Sequence, residues 1–178
     1  MLRTSGSGPL SVCLLGYGWI IERNGLEIAR GFGLFLGNRR TGSNIAEYLA
    51  LIDGLETLGD LRLRHEKVEI RGDAKCVIDQ MMGYAGVSSL LSKELNKQAR
   101  RLAKRFTNLS WVWVPRWENR HADSLSRRSF RYLADSPHLE GEIKRSRFSA
   151  PSGGHLVPLV DLTVHAPFVK AEDYLAPR

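Results

Sequence analysis

The sequence predicts an α/β protein with a five-stranded mixed sheet, of which the first three strands are antiparallel, flanked by helices. Two observations carry this prediction. An Asn-Gly pair at residues 24 and 25 separates two apolar segments, and this pair is the strongest short signal for a hairpin. After it, strand-like segments alternate with helix-like ones, which is typical of parallel α/β units. The predicted order is βββαβααβα.

The antiparallel part is predicted within the first forty residues. Residues 1–5 are expected to form a short first strand, and residues 18–21 and 26–36 the second and third strands. The turn at 22–25 joins the last two. The basic segment 37–42, Gly-Asn-Arg-Arg-Thr-Gly, is rich in turn-forming residues and is predicted to be a loop.

Hydrophobic periodicity predicts the remaining elements. A first helix has Ile45, Leu49, Ile52 and Leu55 on one face and ends near Gly59. The elements that follow are a strand at 67–71, a short helix at 74–82, a longer helix at 89–106, a strand at 109–114 and a final helix at 120–133. The outer face of the longer helix is strongly basic.

The chain of 178 residues supports one domain of ordinary size with a tail. We predict the domain at residues 1–134 and a mostly irregular extension at 135–178, where prolines and glycines interrupt all but one strand-like stretch at 156–164. The formal charge is +7, and the basic surplus lies in the first part. Such a surface favours a polyanionic partner, because phosphate neutralisation releases counterions.

The composition also excludes several classes of protein. No segment approaches the roughly 18 apolar residues that span a bilayer, and the N-terminus lacks a secretory pattern. A soluble, cytoplasmic protein without a membrane partner is expected. Cys13 and Cys76 are too few for a disulfide framework and lack metal-type spacing, so we expect reduced thiols in or near the core and no zinc site.

Three acids stand at positions that this order of elements brings together. Glu47 lies in the first helix, Asp73 follows the fourth strand, and Asp123 opens the last helix. In an open α/β sheet, strand ends and helix starts gather at one edge. Converging carboxylates repel one another unless a cation lies between them. Two hard cations about 4 Å apart cleave phosphodiesters, so the trio predicts a metal-dependent nuclease.

Each acid also has a purely structural interpretation. Asn44 with Glu47 fits a capping box, and Asp73 and Asp123 near helix starts favour the positive end of a helix dipole. His121 is interpreted as a surface residue at a helix start and is left out of the site. For a single acid the structural role is preferred; the joint occurrence of three favours a site.

Three segments resemble one known family, type 1 ribonuclease H, in its bacterial, archaeal and plant branch related to reverse-transcriptase ribonuclease H domains. The segments are Asn-Ile-Ala-Glu-Tyr-Leu-Ala-Leu at 44–51, Arg-Gly-Asp at 71–73, and Val-Pro-Arg-Trp-Glu-Asn-Arg-His-Ala-Asp-Ser-Leu-Ser-Arg at 114–127. The resemblance covers about residues 3–132. It implies a ribonuclease H-like fold.

The resemblance also implies an activity. The family cuts the RNA strand of RNA/DNA hybrids with Mg²⁺ or Mn²⁺ held by four carboxylates, and three of them map to Glu47, Asp73 and Asp123. The fourth stands in a Thr-Asp-Gly-Ser sequence on the first strand, where this chain has Thr-Ser-Gly-Ser at 4–7. Ser5 therefore occupies the aspartate position. A hydroxyl is a weaker ligand for a hard cation, so weakened metal binding is expected.

The serine at position 5 has three possible explanations: a natural variant of reduced or unusual activity, a substitution made to trap a substrate, and a relative that binds without cutting. The leading function is an endoribonuclease acting on RNA/DNA hybrids. The alternative is a catalytically inactive module that binds hybrids or double-stranded nucleic acid. A third class is an interaction protein whose extension recruits a partner or forms a dimer through the 156–164 stretch, although a monomer is favoured.

Candidate nucleic-acid contacts flank the acids in small polar or basic positions. They are Gly6, Ser7, Arg39, Arg40, Ser43, Asn44, Ala74, Lys75 and Arg116. Small groups and backbone amides suit recognition of 2′-hydroxyls across a shallow minor groove, and basic groups suit phosphates. Arg39 and Arg40 also fit a solvated turn. The basic face over residues 93–105 fits either phosphate contact or solvation, and Trp111 and Trp113 are interpreted as core residues rather than stacking platforms.

Overall fold

The computed structural model describes residues 12–38, 42–135 and 164–165. Its elements in chain order are β1 (Val12–Arg23), β2 (Leu26–Asn38), α1 (Asn44–Asp60), β3 (Lys67–Gly72), α2 (Lys75–Met82), α3 (Leu90–Ala103), β4 (Asn108–Trp113), α4 (Arg120–Ala134) and β5 (Val164–His165). Apart from β5, this order agrees with the prediction from the second strand onward. No helix of the described segments is long and apolar enough to cross a membrane.

The predicted hairpin is present and is longer than expected. β1 and β2 pair antiparallel, and Asn24 and Gly25 in the turn have φ values of 54° and 76°, which is the geometry of a type I′ turn. β1 begins at Val12 rather than at residue 18. Gly16 and Gly18 lower the strand propensity of the first half of β1, so the sequence did not predict it. At Gly18 a Cβ would lie 2.6 Å from the Cβ of Leu125 on α4. These glycines therefore allow a helix to pack directly on the strand.

The described strands form two sheets instead of one sheet of five strands. β1, β2 and the two-residue β5 form a three-stranded antiparallel sheet, and β3 and β4 form a parallel pair. Four of the five predicted strands are therefore present, β5 is an additional one, and the predicted single mixed sheet is not seen among the described segments. The first strand, predicted at residues 1–5, lies outside the described segments.

Helices α1, α2 and α3 share one hydrophobic core. Ile45, Ile52 and Leu55 of α1 are buried as predicted, whereas Tyr48 rather than Leu49 is its most deeply buried side chain. The cluster extends to residues of α2, α3 and β1. Burial of each large apolar side chain contributes about 2 kcal/mol. The packing against α2, α3 and β1 therefore holds α1 in place.

A buried hydrogen-bond network ties three helices together. Tyr48 Oη donates to Gln80 Oε1 at 2.7 Å and accepts from Asn96 Nδ2 at 3.0 Å. Arg100 Nε donates to Asn96 Oδ1 at 3.0 Å, and its guanidinium also donates to the carbonyl of Gln80. Burial raises the pKa of Tyr48 above its ordinary value. Arg100 belongs to the basic residues over 93–105 that were predicted to lie mostly outward, and the structure corrects this for Arg100, because its hydrogen bonds go to Asn96 and to the carbonyl of Gln80.

The C-terminal extension returns to its own domain at one point. Val164 and His165 pair with Phe32 and Gly31 on β2. The predicted strand at 156–164 otherwise lies outside the described segments, so a dimer through this stretch stays a prediction. Of the two cysteines, Cys76 on α2 is a free, exposed thiol rather than a core residue.

Candidate active site

Glu47 lies in the first turn of α1, and its capping-box interpretation fails. The cap position is Ser43, whose side chain makes no cap hydrogen bond. Asn44 is already helical, and its Nδ2 lies 3.6 Å from the Sγ of Cys76 on α2. Glu47 is therefore not explained as a helix-capping residue.

Asp73 follows β3 and is held by the segment after β4. Its Oδ1 accepts a hydrogen bond from Asn119 Nδ2, and its carbonyl accepts from Trp113 Nε1 at 3.2 Å. β3 and β4 are parallel neighbours, so their carboxyl ends bring these side chains to the same edge. Asn119 was not singled out from the sequence.

Asp123 in the first turn of α4 is paired with two arginines. Arg116 Nη2 lies 2.6 Å from Asp123 Oδ1, and Arg127 donates to Oδ2. Burial by itself would raise the pKa of Asp123, but the hydrogen bonds from Arg116 and Arg127 outweigh burial and lower it. The same pairing raises the pKa of Arg116. Asp123 is thus a carboxylate that is already neutralised by cations of the chain itself.

The pKa of Glu47 responds to the other two predicted acids. Burial, together with the negative charges of Asp73 and Asp123, raises the pKa of Glu47 from 4.5 to about 7, and the charge of Arg116 opposes this shift. Residues far apart in the chain therefore share one edge of the fold. However, no group of three or more His, Cys, Asp or Glu side chains within residues 12–38, 42–135 and 164–165 lies close enough together to hold a metal ion.

The carboxylates of Glu47, Asp73 and Asp123 suit a hard divalent cation chemically. In this structure they lie too far apart to form a ligand cluster. Carboxylate oxygens are the ligands that Mg²⁺ and Mn²⁺ prefer. Burial, and after it the negative charges of Asp73 and Asp123, raise the pKa of Glu47, and a bound cation would offset both effects. Asp123 directs its two oxygens to Arg116 and Arg127. It must leave these arginines in order to act as a ligand.

The turn at 115–119 connects the acids and presents a tryptophan. Arg116 pairs with Asp123 and Asn119 with Asp73, while Glu118 accepts from Arg71 Nη2 at 3.3 Å. Trp117 at the tip is 64% exposed. The motif at 114–127 was noticed in the sequence, but only these contacts show that the turn anchors both aspartates.

The two tryptophans of β4 differ in environment. Trp111 is partly buried and packs against the core, as predicted. Trp113 is 48% exposed, so its assignment to the core was wrong. It stands at the carboxyl end of β4, where the strand passes out of the core beside Asp73.

The other predicted nucleic-acid contacts fall into three groups. Gly6, Ser7, Arg39 and Arg40 lie outside the described segments, and so does Ser5. Ser43, Asn44 and Ala74 lie at the starts of α1 and α2, close in the chain to Glu47 and Asp73. Lys75 pairs with Asp79 at 2.6 Å on the exposed side of α2, and the side chain of Arg116 is 74% exposed.

Comparison with known proteins gives the family. Residues 16–129 match a family model described as reverse transcriptase-like. The chain belongs to the type 1 ribonuclease H family. It is 33% identical over 120 residues to ribonuclease HI of Halobacterium salinarum, and 36% identical over 87 residues to the bifunctional protein Rv2228c of Mycobacterium tuberculosis. These alignments cover 67% and 49% of this chain, and 55% and 23% of the relatives.

Solved ribonuclease H structures share the fold. The crystal structure of RNase H1 from Halobacterium salinarum superimposes with a TM-score of 0.57 at 28% identity, over 69% of this chain and 98% of that one. The N-terminal RNase H domain of Rv2228c from Mycobacterium tuberculosis, solved as a fusion with maltose-binding protein, gives 0.50 at 26% identity, over 72% and 99%. The α/β fold is therefore ribonuclease H-like.

Proposed function

We propose that the protein is an endoribonuclease that cleaves the RNA strand of RNA/DNA hybrids with Mg²⁺ or Mn²⁺. The observation that carries the proposal is that the turn at 115–119 holds Asp73 through Asn119 and Asp123 through Arg116, near Glu47, in a chain of this family. Three acids from α1, the end of β3 and α4 would have little structural reason to converge. Their convergence at a strand edge favours a site for phosphodiester chemistry.

Glu47, Asp73 and Asp123 are the residues proposed to hold the metal. A divalent cation held there would activate a water for attack and stabilise the charge that develops on the phosphate oxygens. Asn119 fixes the orientation of the Asp73 carboxylate through their hydrogen bond. Arg116, once it leaves Asp123, donates to a phosphate oxygen of the RNA strand.

Recognition of the hybrid is proposed to use the small polar groups beside the acids. Ser43 and Asn44 at the start of α1, and Ala74 at the start of α2, present backbone and side-chain groups near Glu47 and Asp73. Such groups suit the 2′-hydroxyls of one strand in a shallow minor groove. Gly6 and Ser7 are assigned the same role by resemblance, and Lys75, Arg39 and Arg40 the binding of phosphates.

A second candidate is a module that binds hybrids or duplexes without cutting them. Two observations favour it: Ser5 stands at the position of the fourth carboxylate, and Asp123 is neutralised by Arg116 and Arg127 instead of being free for a metal. Both reduce the negative charge available to hold two cations close together.

One cleavage experiment separates the two candidates. A labelled RNA/DNA hybrid is incubated with Mg²⁺ or Mn²⁺ and either the unsubstituted protein, Ser5→Asp or Asp73→Asn. The proposal expects cleavage of the RNA strand by the unsubstituted protein, faster cleavage by Ser5→Asp, and none by Asp73→Asn. Cleavage by Ser5→Asp alone would assign the chain as a binding module.

A further inference from the structure

A basic strip runs along α4, the helix that carries Asp123. Arg120, Arg127 and Arg131 are seven and four residues apart, which are about two turns and one turn of an α-helix, so their side chains share one face. All three are exposed. From Arg120 to Arg131 the strip extends about 16 Å at 1.5 Å per residue. We call these three residues the α4 strip.

The opposite face of α4 accounts for its packing without these arginines. Leu125 and Ser129 are buried, and the backbone of the helix lies directly against Gly16 and Gly18 of β1. Arg128, the fourth arginine of the helix, lies 5.7 Å from the ring centroid of Phe32. The α4 strip therefore takes no part in holding the helix on the sheet.

The charge of α4 is unfavourable for an isolated helix. Its fifteen residues contain four arginines and one acid, Asp123. Like charges one turn apart, such as Arg127 and Arg131, destabilise a helix by a few tenths of a kcal/mol. Arg120 occupies the first helical position, where the helix dipole disfavours a cation. Within the described part of the chain, Arg120 and Arg131 have no ion pair that offsets this repulsion.

We infer that the α4 strip binds successive phosphates of the nucleic-acid duplex whose scissile bond lies at Glu47, Asp73 and Asp123. Arg120, at the start of the strip, lies about one turn from Asp123, and Arg127 of the strip forms an ion pair with Asp123. The strip therefore extends the candidate site along the exposed face of α4. A phosphate backbone has the opposite charge, and at about 3.4 Å of helix axis per phosphate on one strand, the strip is long enough to span about five phosphates. The inference rests on the proposed function for the identity of the duplex.

The test measures the salt dependence of binding to a labelled 18-base-pair RNA/DNA hybrid in EDTA, which prevents cleavage. The variant Arg120→Gln/Arg131→Gln leaves Arg127 and the acids unchanged. Because each duplex phosphate contact contributes about 0.9 to the slope of log K against log salt, the variant is expected to lower the slope by about 1.8. The variant Arg120→Lys/Arg131→Lys keeps the charge and is expected to keep the slope.

A matched control removes the same charge from the opposite edge. Arg62 and Lys67 are exposed, in the segment before β3 and at its first residue, whereas Asp73 follows its last. The control Arg62→Gln/Lys67→Gln is expected to leave the slope within about 0.5 of the original. An unchanged slope for Arg120→Gln/Arg131→Gln, or an equal loss in the control, would overturn the inference.

The outcomes also distinguish this inference from the proposed function. If the protein cuts no hybrid with Mg²⁺ or Mn²⁺ but Arg120→Gln/Arg131→Gln lowers the slope, the α4 strip stands and the nuclease proposal falls. If the protein cleaves the hybrid and Arg120→Gln/Arg131→Gln leaves the salt slope unchanged, the nuclease proposal stands and the inference about the α4 strip is overturned. If the protein binds no hybrid at all, both are overturned.

Discussion

The substitution Glu47→Gln is expected to stabilise the metal-free protein, and to do so only above about pH 5. In the folded protein, burial and the charges of Asp73 and Asp123 raise the pKa of Glu47 from 4.5 to about 7. The folded state therefore binds this proton more tightly than the unfolded state. The native protein keeps its full stability below pH 4.5 and loses part of it as the pH rises through about 7.

The size of the effect follows from the same pKa. One pKa unit corresponds to about 1.36 kcal/mol, so complete ionisation of Glu47 sets an upper value of about 3 kcal/mol. Solvent contact at this partly exposed carboxylate reduces it, and we expect Glu47→Gln to be more stable than the native protein by about 1 to 3 kcal/mol at pH 8. At pH 4.5 the two free energies of unfolding should be nearly equal.

Urea unfolding in EDTA at pH 4.5, 6 and 8 measures this difference. The control is Glu94→Gln, which removes one exposed carboxylate from α3 and should change the free energy of unfolding by less than about 0.5 kcal/mol at every pH. A constant difference between Glu47→Gln and the native protein across the three pH values would refute the argument. Lower stability of Glu47→Gln at pH 8 would refute it equally.

Three further substitutions, one of them with a matched control, test the contacts around the site and the end of α2. Tyr48→Phe removes a buried hydroxyl that both donates and accepts, and urea unfolding should show a loss of about 1 to 2 kcal/mol; an unchanged midpoint would contradict the network. Gly83→Ala places a side chain at φ 87° and should cost about 1 kcal/mol, whereas Gly86→Ala, in open space, should cost less. Asn119→Ala frees the Asp73 carboxylate and should lower hybrid cleavage at least tenfold with unchanged binding in EDTA; undiminished cleavage would exclude a positioning role.

Local sequence signals predicted much of the fold. The Asn24-Gly25 turn set the pairing of β1 with β2, because its positive φ values match the twist of a hairpin. The helices predicted at 74–82 and from residue 89 onward have local causes too, because Gly83 ends α2 in the left-handed conformation and Ser89 caps α3 by accepting from the backbone N–H of Ser92. Each of these signals acts within a few residues, so a single sequence contains the information.

Features that depend on contacts between distant elements were not predictable in this way. Arg100 turns inward because Asn96 and the carbonyl of Gln80 are there to accept its hydrogen bonds. Trp113 is exposed because β4 ends beside Asp73 and the strand leaves the core. Neither fact can be deduced from the spacing of apolar residues along one segment.

The candidate site shows the same division. Glu47, Asp73 and Asp123 were found in the sequence, because the order of elements places strand ends and helix starts at one edge. The partners of the aspartates were not. Only the fold shows that the turn at 115–119 holds both Asp73 and Asp123.

The network centred on Tyr48 restricts how this domain can be recombined with its relatives. Tyr48 follows Glu47 directly, and its hydroxyl bonds to Gln80 and Asn96, while Arg100 bonds to both of the latter. A chimaera that took α3 from a chain without Asn96 and Arg100 would leave the phenol without its amide donor and the carbonyl of Gln80 without its guanidinium donor. Helices α1, α2 and α3 therefore form one unit for transplantation or redesign.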